Sequence, residues 1–126
     1  MKLIGSSNEL DLVQARHCHA PEEVWMEIVT SFPSARKNVA FNKTIPMSVV
    51  GFLSRDTDPE VRWWIAMKRK ISLELIENLS NDPDPSVRER IVYNPSTPLH
   101  ILQKMVFDEA ENIASRAIER VSAVGA

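Results

Sequence analysis

The sequence predicts an all-α protein: a right-handed α-α superhelix, or solenoid, of about four two-helix repeats of about 26 residues, preceded by an N-terminal capping helix. Three observations predict it. The stretch DTDPEVRWWIAM, Asp56 to Met67, returns 26 positions later as DPDPSVRERIVY, Asp82 to Tyr93, and internal repetition at such a period is the signature of stacked repeats. Apolar residues within each copy recur at helical spacing. Eight prolines stand against three glycines, a balance that suits proline-marked helix starts better than the glycine-bearing turns of a β fold.

Taken in order, residues 1–16 hold a capping-box spacing from Ser6 to Glu9 ahead of Leu10, Leu12 and Val13, which predicts the capping helix. The repeats are assigned to residues 17–41, 42–67, 68–93 and 94–121, all within a single domain, 1–126. In the first half of each unit Val49, Leu75 and Ile101 align, then Val50, Ile76 and Leu102, then Leu53, Leu79 and Met105. Val24, Trp25 and Ile28 fill the same columns of the first unit, which drops about one residue near Phe32-Pro33. These columns fall at i, i+1 and i+4, one stripe of a helix. In the second half Val61, Val87 and Ile113 align, followed by Ile65, Ile91 and Ala117. Asp58-Pro59 and Asp84-Pro85 offer an N-cap carboxylate and a proline at the first helical position, where its missing N–H costs nothing. Thr97-Pro98 and Ala20-Pro21-Glu22-Glu23 mark the other class of helix in a similar way. Helices of roughly eight to ten residues are too short to stand alone, so burial against neighbours must supply their stability. Residues 109–121 are polar and alanine-rich, with Ile113, Ile118 and Val121 as the expected apolar contacts of a terminal unit.

Composition bounds the function. Hydrophobic residues make up 44% and charged residues 25% of the chain, ordinary for a folded soluble domain. A net charge of −2 gives no global attraction to nucleic acid or anionic lipid. Cys18 is the only cysteine, which excludes an intrachain disulfide and fits a reducing compartment. The opening MKLIGSSNELDL has too short an apolar run for a signal peptide, and no stretch reaches the length of a membrane span. A cytoplasmic protein with no membrane partner is the expectation.

The motif Asn94-Pro95-Ser96-Thr97-Pro98 with Leu102, and Asp82-Pro83-Asp84-Pro85-Ser86-Val87-Arg88 in the preceding turn, resembles the leucine-rich repeat variant. That is a bacterial relative of HEAT and armadillo repeats, built of paired short helices, sometimes α alternating with 3-10. The resemblance covers about residues 17–120 and implies a fold more than an activity. The chain departs from the pattern where Lys68-Arg69-Lys70-Ile71-Ser72 replaces the Asn-Pro…Pro signature and where Ile113-Ala114 lacks the Val-Arg pair. Its unit is also slightly longer than the family's usual one, so ordinary two-helix HEAT geometry is an open alternative.

Function is sought where the copies differ. Trp63 and Trp64 occupy slots that hold Lys37 and Asn38, Glu89 and Arg90, and Ser115 and Arg116 in the other units. Trp63 lies about 200° around the helix from Val61 and from Ile65, on the side away from the apolar stripe, and exposed tryptophans are enriched at binding hot spots. Trp25 instead fills an apolar column and is expected in the core. Arg36, Arg62 and Arg88 share one slot. They read first as a structural ladder, with Asp58 and Asp84 four residues before Arg62 and Arg88, within helical pairing reach, and with Asp56, Asp82 and Asp108 as further acceptors; they read second as a binding row for carboxylates or phosphates. The run Lys68-Arg69-Lys70 could add a positive patch. The resulting expectation is a non-enzymatic scaffold that binds another protein through one face, with an immunity- or adaptor-type protein as its specific version. Its partner-binding residues are Trp63, Trp64, Arg62, Lys68, Arg69, Lys70, Arg88 and Arg90. The alternative is nucleic-acid binding through the Arg/Lys row, as in DNA-binding HEAT-like solenoids, and a homodimer that buries the tryptophans is a third reading. Catalysis and metal binding find no support: His17-Cys18-His19 are adjacent, His100 is far along the chain, and Gly5, Gly51 and Gly125 form no phosphate loop. No cofactor is expected.

Overall fold

A computed structural model describes residues 19–125, so the expected capping helix over residues 1–16, together with His17 and Cys18, lies outside the described residues. Among the described residues every regular element is helical. The helices are α1 (Glu22–Ser31), a 3-10 turn (Pro33–Ala35), α2 (Arg36–Phe41), α3 (Met47–Leu53), α4 (Pro59–Ala66), α5 (Leu73–Ser80), α6 (Pro85–Tyr93), α7 (Leu99–Met105) and α8 (Glu111–Gly125). The chain divides into two compact units, Met1–Ile65 and Ala66–Ala126.

Helix starts are of two kinds. Ahead of α4 and α6 the carboxylates of Asp58 and Asp84 cap the helix, Asp58 Oδ1 accepting from the Glu60 amide at 2.9 Å and Asp84 Oδ1 from the Ser86 amide at 2.8 Å. Proline follows at the first helical position, as the sequence predicts. The other kind differs from expectation. Pro21, Pro46 and Pro98 sit at the N-cap itself, in extended backbone (ψ 158° to 163°), and supply no side-chain cap. Proline serves there by fixing φ and barring the helix from extending backwards. In the equivalent position of the departing copy stands Ser72, whose hydroxyl accepts from the Leu75 amide at 3.2 Å. One local device replaces the other.

The core is the set of apolar columns. All of Val49, Leu75, Ile101, Val50, Ile76, Leu102, Leu53, Leu79, Met105, Val61, Val87, Ile113, Ile65, Ile91 and Ala117 are buried. Complete burial of such side chains contributes roughly 1.5–3 kcal/mol each, which is what holds helices of seven to ten residues. Trp25 is fully buried, as expected, whereas Val24 is only half-buried. The terminal helix corrects a finer expectation. Ile113 and Ala117 form its inner edge, while Ile118, one position on from Ala117, is 52% exposed. The equivalent residues Ala40, Ala66 and Val92 are all fully buried.

In the second unit, first helices pack on first helices (α5 on α7) and second on second (α6 on α8), with α5–α6 and α7–α8 as hairpins. In the first unit α1 packs on α3 and on α2, and the 3-10 turn carries the chain from α1 into α2.

Polar side chains tie the turns at fixed intervals. The Arg88 guanidinium grips both Asp108 oxygens, Nε at 2.8 Å and Nη2 at 3.1 Å, while its Nη1 donates to the Asp82 carbonyl at 2.8 Å. Arg36 does the same work in the first unit, with Nη1 to Asp56 Oδ1 at 3.0 Å and Nε to the Val29 carbonyl at 2.6 Å. Each acceptor carboxylate also receives a backbone amide two residues on: Asp58 at 3.1 Å for Asp56 and Ala110 at 2.8 Å for Asp108. Asn94 is buried and its Nδ2 donates to the carbonyls of Ala66 and Lys68, both at 2.8 Å. Twenty-six positions later Arg120 repeats that role, its Nη1 donating to the carbonyls of Val92 and Asn94, both at 2.9 Å.

Candidate functional site: an aromatic corner and a basic, tyrosine-centred face

The first unit places its aromatic residues together. The Asp58 cap and Pro59 set the start of α4, and the buried pair Val61 and Ile65 turns its inner face to the core, which leaves Trp63 and Trp64 on the outer side. Trp64 meets Phe41 edge-to-face with ring centroids 4.9 Å apart, and Trp63 meets Trp64 edge-to-face at 5.0 Å. Neither indole is fully exposed: both are half-buried, as is Phe41. Perpendicular contacts of this kind suit the quadrupoles of the rings and hold them as one rigid corner. Beside it Lys37 Nζ pairs with Glu60 at 3.3 Å on the surface, and Arg62 Nη1 donates to the Asp56 carbonyl at 2.7 Å. Phe41, the third ring of the corner, was not among the residues expected to carry function. It closes α2 in a slot that holds Met67 and Tyr93 elsewhere, both exposed, and that exposed slot is the signal that points to it.

The second unit contains the basic run. Its backbone is pinned from below: Asn94 reaches the Lys68 carbonyl, and the Ser96 hydroxyl donates to the Arg69 carbonyl at 2.6 Å. Arg69 and Lys70 therefore project from a fixed loop and are exposed, while Lys68 is half-buried. Arg88 is different in kind. It is 9% exposed and engaged by Asp108 and Asp82, and the hydrogen bond to Asp108 raises its pKa above the ordinary arginine value against the opposing effect of burial.

Arg90, in the slot of Trp64, lies over the Tyr93 ring with its Cζ 5.3 Å from the centroid; Arg116 lies over the same ring at 4.7 Å. Tyr93 is 44% exposed. Arg116 Nη1 pairs with Glu119 at 2.9 Å. Arg120, close behind, has its pKa lowered by burial and then by the charge of Arg116. Sequence reading singled out Arg90 but missed Tyr93 and Arg116, which meet only when α6 and α8 pack.

Among the described residues no cluster of His, Cys, Asp and Glu is arranged to hold a metal ion, and no helix is long and apolar enough to cross a membrane. His19 and His100 are both exposed. Comparison with family models, with curated proteins and with solved structures gives no match.

Proposed function

We propose that this chain is a non-enzymatic helical-repeat scaffold of the leucine-rich-repeat-variant type, stacked as a solenoid of about four units, that binds another protein through the outer face of its second helices. The observation that carries the reading is the edge-to-face corner of Phe41, Trp64 and Trp63. It stands where the other copies put Glu89 and Arg90, or Ser115 and Arg116. A half-buried tryptophan on an otherwise polar helix face costs solubility without adding to the core, and rigid aromatic side chains are what protein interfaces use as anchors. Immunity- and adaptor-type proteins work in this way, needing a shaped surface and no chemistry; a cytoplasmic location in a bacterium fits the same reading.

Affinity capture tests it, with wild type and Trp63→Ala as baits, each first checked for native helicity by circular dichroism. A hot-spot anchor contributes about 2 kcal/mol or more, so retention of a specific partner falls about thirtyfold in the variant. Equal capture by both baits removes Trp63 from the interface. The homodimer reading predicts instead that Trp63→Ala shifts the sedimentation of the purified chain towards monomer.

Nucleic-acid binding is the second reading, favoured by exposed Arg69 and Lys70 on a pinned loop. With Arg36 and Arg88 both engaged by aspartates, the Arg row has few cations left for phosphates. A gel-shift titration at two salt concentrations decides it: a complex that weakens with salt and is lost in Arg69→Ala/Lys70→Ala supports the reading.

A further inference from the structure

We propose that the outer face of α8 is a self-association surface, on which a second copy of this chain docks its own α8 antiparallel, Ile118 against Ile118. The proposal uses none of the residues assigned to partner capture and is independent of that reading.

The slot of Ile118 is sealed in every other copy, at Ala40, Ala66 and Val92. For Val92 the cover is known: α8 packs on α6, and Arg120 of α8 donates to the Val92 carbonyl at 2.9 Å. One copy later the same slot holds a larger apolar side chain that is 52% exposed. Two further departures lie on the same side of the helix. Val121 takes a slot that holds Lys43, Arg69 and Pro95 elsewhere, all exposed. It can do so because α8 runs on to Gly125, past Glu119, the slot where α6 ends at Tyr93. Ala114 takes the slot of Arg36, Arg62 and Arg88. Ala114, Ile118 and Val121 are spaced by four and then three, which is the seam of a two-helix pair, and Ala114 and Val121 are half-buried. A terminal unit normally turns a polar face outward; this one carries an apolar seam.

The occupant follows from what the seam has lost and what flanks it. Another repeat of the inner kind would bring an aspartate in its turn, as Asp108 comes to Arg88 at 2.8 Å, and Ala114 has no guanidinium to meet it. A foreign helix is ordinarily selected by charges beside the seam, but the flanking Ser115 and Ser122 are uncharged. The nearest charged side chains on α8, Glu119 and Arg116, pair with each other at 2.9 Å and lie about 100° and 160° around the helix from Ile118. Two copies of this face therefore meet without like charges opposed. A two-fold axis through Ile118 sets each Ala114 opposite Val121 of the other copy, small against larger, and the contact closes on itself as a dimer. A parallel pair would set alanine on alanine and leave a gap.

Sedimentation equilibrium of the full chain, from about 1 µM to 1 mM, tests it. One helix pair makes a small interface, so the association should be weak and follow concentration, rising from 14.3 kDa towards twice that mass. Ile118→Glu puts two carboxylates at the axis and should weaken the dimer at least about tenfold. Val121→Arg, which restores the residue type of the Arg69 slot, should weaken it too and serves if Ile118→Glu does not fold. Mixing Ile118→Glu with Ile118→Lys should recover a dimer that neither forms alone, which happens only where residue 118 faces its own copy. Trp63→Ala should dimerise like wild type; a dimer lost with Trp63 instead belongs to the aromatic corner and overturns the proposal. A chain that stays monomeric up to about 1 mM, or a dimer indifferent to both Ile118→Glu and Val121→Arg, overturns it as well. A monomer that captures another protein through Ile118 would give the face to a foreign helix.

Discussion

The two compact units solve the same problem with different chemistry, both inside and out. Inside, each clamps a turn with an arginine and an aspartate twenty positions apart. The second unit does so with a bidentate pair whose side chains are 11% and 7% exposed; the first uses a single contact and an arginine 24% exposed. Outside, the first unit turns three aromatic rings to its surface, and the second gathers arginines around a tyrosine. The lesson is that a repeated sequence frame constrains the inner columns tightly and leaves outward slots free to diverge. Function is therefore sought where the copies disagree.

The largest way to break the comparison is at its ionic clamps. Asp108→Ala leaves a buried guanidinium unpaired and should cost about 3 kcal/mol or more. Asp56→Ala strands a better-solvated arginine and should cost less than half as much; equal losses in chemical denaturation would mean the two clamps are not graded by burial. Next is Asn94→Ala, which removes both donors to the Ala66 and Lys68 carbonyls and should cost about 2 kcal/mol. Hydrogen exchange should show the loop at residues 67–72 released with it, and unchanged protection there would deny Asn94 its role. The smallest effect sharpens the view of the first unit. Gly51 lies inside α3, and an added Cβ would have nothing within 4 Å. Gly51→Ala should stabilise by about 0.5–1 kcal/mol, seen as a higher midpoint in thermal unfolding.

Much of this was legible beforehand, for stated reasons. Apolar spacing reports which side of a helix is buried, and the predicted columns from Val49 through Ala117 are the core. Asp-Pro reports a capped start because both residues act on their own turn, and Asp58 and Asp84 do so. Pro21 and Pro98 were placed one position off because a proline can begin a helix at the cap or just inside it, and spacing alone does not separate the two. Ile118 misled because its apolar character and its slot, buried at Ala40, Ala66 and Val92, both suggest burial, whereas exposure depends on what packs over the helix, which local spacing does not encode. Of the candidate site, Trp63 and Trp64 stood out as departures from the repeat, and Arg90 was expected among the partner-binding residues. Phe41, Tyr93 and Arg116 did not, since each gains its meaning from a neighbour distant in the chain.

The sequence by itself determined where the helices begin, which face of each is apolar and which slots escape the repeat, because all of these are set by residues within a turn or two of one another. Only the tertiary structure decided that Arg88 closes on Asp108, that Asn94 reaches back to Ala66, and that two arginines share Tyr93. Those pairings depend on the distance and angle between packed helices, which local spacing does not encode.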